Sequence, residues 1–156
     1  MPFLTVGLLT QDQRPMIIQS SAPTRVDLAG GTIDIWPLYL FHPGASTVNF
    51  ALSLRASIRI ETRDDDRIIL ESRDRGIRLE SALDCIGDLA RDEELELVSK
   101  MVHFFRPETG FHLTAHSEAP AGAGIAGSSA LAIALIGALN GLVGDRYPRS
   151  EFINIA

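Results

Sequence analysis

One cysteine, Cys85, occurs in 156 residues, so the chain can form neither an internal disulfide nor a cysteine-built metal cluster. A lone thiol fits a reducing compartment, and we expect a cytoplasmic protein. Positive charge is also scarce. Fourteen Lys and Arg face twenty Asp and Glu, for a formal charge of −6. The basic residues are scattered among acids, as in RDDDR (Arg63–Arg67), which reads as a solvated turn. A nucleic-acid surface needs clustered Lys and Arg, so no nucleic-acid partner is expected. From Ala119 to Gly144 charge is missing altogether, which raises the question of a membrane span. Only Ala130 to Val143 is strongly apolar, short of the roughly 20 residues a bilayer requires. Gly137 and Gly141 have the spacing of close-packed membrane helices, but the same spacing lets a helix lie close to a sheet. We therefore expect a soluble domain with no membrane partner. The N-terminus lacks the charged start and long apolar core of a signal peptide. Residues 1–15 read as an extension, Met16 as the functional start and 16–156 as one domain.

What is present alternates between two periods. Met16–Leu28 reads as strand, turn and strand, followed by a loop at Ala29–Thr32. Ile33–Gly44 is apolar but broken by two prolines, which suggests an irregular loop on the substrate side. In Ser46–Arg63, Ala56, Ile58 and Ile60 alternate with Ser57, Arg59 and Glu61, predicting a long strand. Arg67–Arg73 would return as the second arm of a hairpin, and Gly76–Ser81 would add a short edge. The period then changes: Leu95, Val98, Met101, Val102 and Phe105 make one apolar helical stripe within Arg91–Phe105. Asp92–Glu94 suits that helix's first turn, and His103 lies off the stripe, toward solvent. Gly110–Glu118 reads as a half-buried strand, and a helix spans about Ser128–Val143. A further helix starts near Ser150. The order implies an α+β domain with a mainly hairpin-built, antiparallel sheet packed against helices. Because a helix is nucleated so near the last residue, we expect the first part of a longer protein.

Between strand and helix lies PAGAGIAGSSAL (Pro120–Leu131). Unpaired N–H groups and the dipole at a helix N-terminus attract anions, and glycines allow a polyphosphate to approach the backbone. Ser128 and Ser129 would supply an N-cap and a hydroxyl for phosphate-bound Mg²⁺. Two other phosphate templates overlap here. A P-loop would need lysine where Ser128 stands. A dinucleotide fingerprint, G-x-G-x-x-G at Gly122, Gly124 and Gly127, would need an acid ending a strand about twenty residues on. Asp145 has the distance but sits in GDRYPRSE, a loop. A nicotinamide-binding module and a non-catalytic interaction fragment both remain as alternative readings.

The same stretch resembles the second motif of the GHMP kinases, the superfamily of galactokinase, homoserine kinase and mevalonate kinase. SAPTRVDLAGGTIDIWPLY (Ser21–Tyr39) resembles that superfamily's first, substrate-side motif, in the right order and at a suitable distance. The resemblance implies a ribosomal protein S5 domain 2-like fold and an ATP-dependent kinase acting on a hydroxyl of a sugar or other small molecule. It assigns Pro120, Gly122, Gly124, Ile125, Ala126, Gly127, Ser128 and Ser129 to the ATP phosphates, with Ser128 reaching Mg²⁺. Arg25 matches the arginine near the transferred phosphoryl group, and Asp34 the acid that binds sugar hydroxyls. Gly30 and Gly31 shape the loop carrying Asp34, and Asn49 is placed on the nucleotide side. Asp27 reads equally as a turn former or a ligand.

The turn is one residue longer than the commonest family form, with Ala126 in a glycine position, where we expect ordinary L-residue backbone angles. The Glu-His pair of galactokinases is replaced by GGTID, which leans toward heptose-phosphate and fucose-type sugar kinases. The catalytic aspartate and third motif of the family would lie beyond residue 156, in a C-terminal domain this chain lacks. The isolated chain is accordingly expected to turn over weakly or not at all. A homodimer is among the assemblies the resemblance admits.

Overall fold

Strand order, rather than strand content, separates this sheet from a run of hairpins. The computed structural model describes residues 15–31, 33, 37–89 and 93–156. Its strands are β1 (Ile17–Ala29), β2 (Val48–Thr62), β3 (Arg67–Ser72), β4 (Ile77–Ala82) and β5 (Phe111–Ser117), arranged β1-β2-β5-β3-β4. The last strand in the chain thus occupies the middle of the sheet. It pairs antiparallel with β2 and parallel with β3, so the sheet is mixed. The expected hairpin between Ser46–Arg63 and Arg67–Arg73 is overturned, because β5 separates the two. The physical reason is a row of apolar side chains. Ile18, Ile60, Leu113, Leu70 and Leu79 are successive partners across the five strands and continue one packed face. Gly76–Ser81 is close to the observed edge strand β4.

The reading of Met16–Leu28 as strand, turn and strand is also corrected. β1 runs unbroken beside β2, with register shifts between Pro23 and Arg25 and again between Asp27 and Ala29. Proline cannot donate to a ladder, and an edge strand with a bulge accommodates it. Asp27 therefore lies in a strand rather than a turn.

Helices cover one face of the sheet. A one-turn helix, α1 (Leu38–Phe41), follows β1, and α2 (Ile86–Leu89) follows β4. Helix α3 (Glu96–Phe105) starts later than the sequence pattern suggests, with residues 93–95 in a turn or bend before it. Its stripe is as expected: Leu95, Val98, Met101, Val102 and Phe105 are all buried. His103 is half-buried instead of solvent-facing, with a buried Nδ1 that has no hydrogen-bond partner. Helix α4 (Gly127–Leu142) buries Ala134, Leu135, Ile136, Ala138 and Leu139 against β1 and β2. At its contact with β1, a Cβ on Gly137 would stand 2.6 Å from Ser20 Oγ, and one on Gly141 would stand 3.5 Å from Ile18. Small residues therefore bring this apolar helix down onto the sheet. Among the described residues no helix is long and apolar enough to cross a membrane. The chain ends in a short helix, α5 (Phe152–Ile155).

Candidate functional site

β5 ends at Ser117, and the chain must then turn to enter α4 beside the same sheet. It does so through Gly122 (φ +75°), Gly124 (φ +68°) and Ala126 (φ +56°), alternate residues in the left-handed region. Such turns make the concave, N–H-lined backbone from which anion sites are built. The ordinary angles expected of Ala126 are not adopted. It is the N-cap of α4, at φ 56° and ψ 36°, and its side chain makes no cap hydrogen bond. The expected serine cap is corrected with it. Because Gly127 is already helical, Ser128 and Ser129 stand in the first turn. That turn's N–H groups have no acceptor from a cap side chain and are available to an anion.

A groove of about 450 Å³ opens against this loop, lined by residues 119–128 together with Ser117, Leu131, Asp74 and Arg75. Pro120, Gly122, Gly124, Ile125, Ala126, Gly127 and Ser128 all face it; Ser129 is not part of its lining. A Cβ on Gly122 or Gly124 would meet nothing within 4 Å, whereas one on Gly127 would stand 3.1 Å from Ala119 Cβ. The volume falls in the usual range of a small-molecule site.

The first motif reaches this loop through its backbone. The register shift at Pro23 turns Arg25 so that its N–H donates to the carbonyl of Ile125 at 3.1 Å. Two segments a hundred positions apart are thereby joined. The Arg25 side chain is partly exposed, with Nε donating to Asp27 Oδ1 at 3.0 Å. Gly30 (φ +79°) is wedged against the chain before β2: a Cβ there would stand 2.3 Å from the Ser46 carbonyl oxygen. Its own carbonyl accepts from Thr47 Oγ1 at 3.1 Å. A Cβ on Gly31 would crowd Asp27 at 2.8 Å. Asp34 lies outside the described residues, as do residues 1–14 of the expected N-terminal extension. Asn49 is exposed opposite Asp27 in the β1–β2 ladder and does not line the groove.

Asp74 and Arg75 carry no signal in the sequence pattern. They sit in the β3–β4 turn, which shows no period, and only the fold brings that turn to the end of β5. There the Ser117 N–H donates to Asp74 Oδ1 at 3.2 Å, as does the Ser72 hydroxyl. Cys85 is exposed and away from the groove; its hydrogen bond to Asp84 raises the thiol pKa, which disfavours a nucleophilic thiolate. The acid proposed for a dinucleotide site is equally remote. Asp145 accepts from Asn140 Nδ2 past the far end of α4, roughly 24 Å of helix from the glycine loop. It cannot reach a ribose held there.

Residues 96–156 match the family model for the GHMP kinases N terminal domain. The D-glycero-alpha-D-manno-heptose 7-phosphate kinase of Campylobacter jejuni is 29% identical over 124 residues, 76% of this chain and 36% of that protein. The L-fucokinase/L-fucose-1-P guanylyltransferase of Bacteroides fragilis is 26% identical, over 86% of this chain and 17% of that protein. Among solved structures, the mevalonate kinase of Methanococcus jannaschii superposes with a TM-score of 0.71 at 21% identity, covering 94% of this chain and 45% of that one. The fold is that of a GHMP kinase N-terminal domain, a mixed five-stranded sheet with helices. The chain spans about a third of the heptose-phosphate kinase and a smaller share of the fucokinase.

Proposed function

We propose that this chain is the ATP-binding lobe of a small-molecule kinase that transfers the γ-phosphoryl group to a hydroxyl of a sugar or sugar phosphate. The observation that carries the reading is the join between the two motifs: the glycine loop opening α4 is hydrogen-bonded to the backbone of Arg25. That join would keep a phosphate cradle and an acceptor-side cation on neighbouring backbone. The similarity to a heptose 7-phosphate kinase and a fucokinase supports a sugar as acceptor.

Phosphoryl transfer is mostly positioning and charge neutralisation. The first-turn N–H groups of α4 and the open backbone at Gly122 and Gly124 would hold the phosphate chain. The Ser128 hydroxyl, exposed in the groove, would hold Mg²⁺ together with phosphate oxygens and water. Mg²⁺ commonly takes few protein ligands when it is bound through a nucleotide, so one hydroxyl fits that role. When bound, the ion would neutralise charge on the phosphates. Arg25 would swing from Asp27 toward the transferred group, and Asp34 would accept a hydrogen bond from the sugar. No base is assigned among the described residues, so ligand binding, rather than turnover, is the property to measure.

Thermal-shift titration of the full chain with MgATP and, separately, with NADH tests the reading. Stabilisation by MgATP alone is expected; no shift with MgATP in a folded sample would remove the kinase-lobe assignment. A shift with NADH independent of Mg²⁺ would favour a nicotinamide-binding module.

A further inference from the structure

The phosphate loop carries no charge of its own: from Ala119 to Gly144 there is no ionisable side chain. A triphosphate brings several negative charges, and a helix terminus offsets only about half of one. Among the described residues lining the groove, Arg75 is the sole cation and Asp74 the sole acid. Their positions follow from one another. Asp74 Oδ1 accepts from the Ser117 N–H and the Ser72 hydroxyl, which ties the β3–β4 turn to the last residue of β5. Two residues later the chain enters the glycine loop. The same anchor that engages the Asp74 carboxylate holds Arg75 beside that loop. The Arg75 guanidinium donates through Nη1 to the backbone carbonyl of Glu94. This contact to a neutral carbonyl uses one arm of a five-donor fork and leaves other N–H groups to donate, while Asp74, Glu93 and Glu96 line a neighbouring pocket with Arg75.

We propose that Arg75 is the phosphate-neutralising cation of this groove, supplying from the β3–β4 turn the charge that the glycine loop lacks. The inference rests on the groove taking a polyphosphate, and it deepens the reading of the ATP site. Arg75 would contact the phosphate chain directly, from the lining of a groove that Arg25 meets only through its backbone N–H to Ile125. The two cations would then act on different parts of the ligand.

The test is calorimetric titration of the full chain with inorganic tripolyphosphate and with MgATP. Arg75→Gln is the informative variant, because its amide can still donate to the Glu94 carbonyl while the charge is gone. Arg75→Lys retains charge without the fork, and Arg59→Ala, on the strand face outside the groove, serves as the control. Losing one charge-assisted contact should weaken binding of both ligands about tenfold in R75Q, with R75K intermediate and R59A unchanged. The wild-type affinity for tripolyphosphate should also fall more steeply with salt than that of R75Q. Equal affinity of R75Q and wild type for tripolyphosphate overturns the inference and leaves the ATP reading standing. Arg75-dependent binding of tripolyphosphate without any binding of MgATP upholds the inference and removes the ATP reading. Binding of neither ligand by the wild-type chain overturns both.

Discussion

Gly30, at the end of β1, and Gly124, in the loop before α4, both hold positive φ angles, +79° and +68°. Their surroundings differ completely. A methyl group on Gly30 would run into the Ser46 carbonyl at 2.3 Å, so the protein's own backbone occupies the space a side chain would need. A methyl group on Gly124, or on Gly122, would meet nothing within 4 Å. The first motif uses glycine to close the fold on itself. The second uses glycine while leaving the neighbouring space open, on a groove. Glycine is a packing requirement in one place and borders open groove space in the other.

The sharpest way to break this contrast is Gly30→Ala. Overpacking against backbone combined with a left-handed L-residue should cost about 3 kcal/mol, read as a lower urea midpoint without loss of cooperativity. A cost near zero would show that the β1 end relaxes freely. Gly124→Val should do the reverse. Its folding cost is the strain of a β-branched residue at positive φ, about 2 kcal/mol, while MgATP affinity should fall at least tenfold, an estimate from filling a phosphate contact. Undiminished affinity would detach the loop from the phosphate site. The mildest change, Ala126→Gly, sharpens the comparison from the other side. Ala126 already sits at φ +56° as the α4 cap. Glycine would relieve the left-handed strain and give back part of the gain as chain entropy, for a net stabilisation of about 0.5 kcal/mol. Binding should be retained, as measured by the same titration.

Much of the local structure was legible because it is periodic. The stripe from Leu95 to Phe105 gave α3, and the alternation of Phe111, Leu113 and Ala115 gave β5. The two motifs pointed to the GHMP kinase fold, since a glycine-rich turn and an arginine-bearing strand carry identifiable residues. The sheet order was not legible. Nothing local in Ser46–Arg73 says that a strand 40 residues later will enter between its two arms, because only the shared apolar row decides it. Arg75 was illegible for the same reason: a turn has no period, and its groove exists only after β3 and β5 lie side by side. Ala126 shows a further limit, since residue identity argued for one backbone region and the geometry of strand-to-helix reversal imposed another.

The position of β5 also sets an order of events during folding. Until residues 111–117 are available, β2 and β3 each present an unpaired edge, and neither can satisfy the other across the gap β5 will fill. The chain must hold these open edges through the formation of β3, β4 and α3, a long loop to close and a slow kind of pairing. Sheet closure comes late and is followed at once along the chain by the glycine turn. The loop's ties to Ser117 and Arg25 can therefore form only once β5 has joined the sheet, and α4 then packs over β1 and β2.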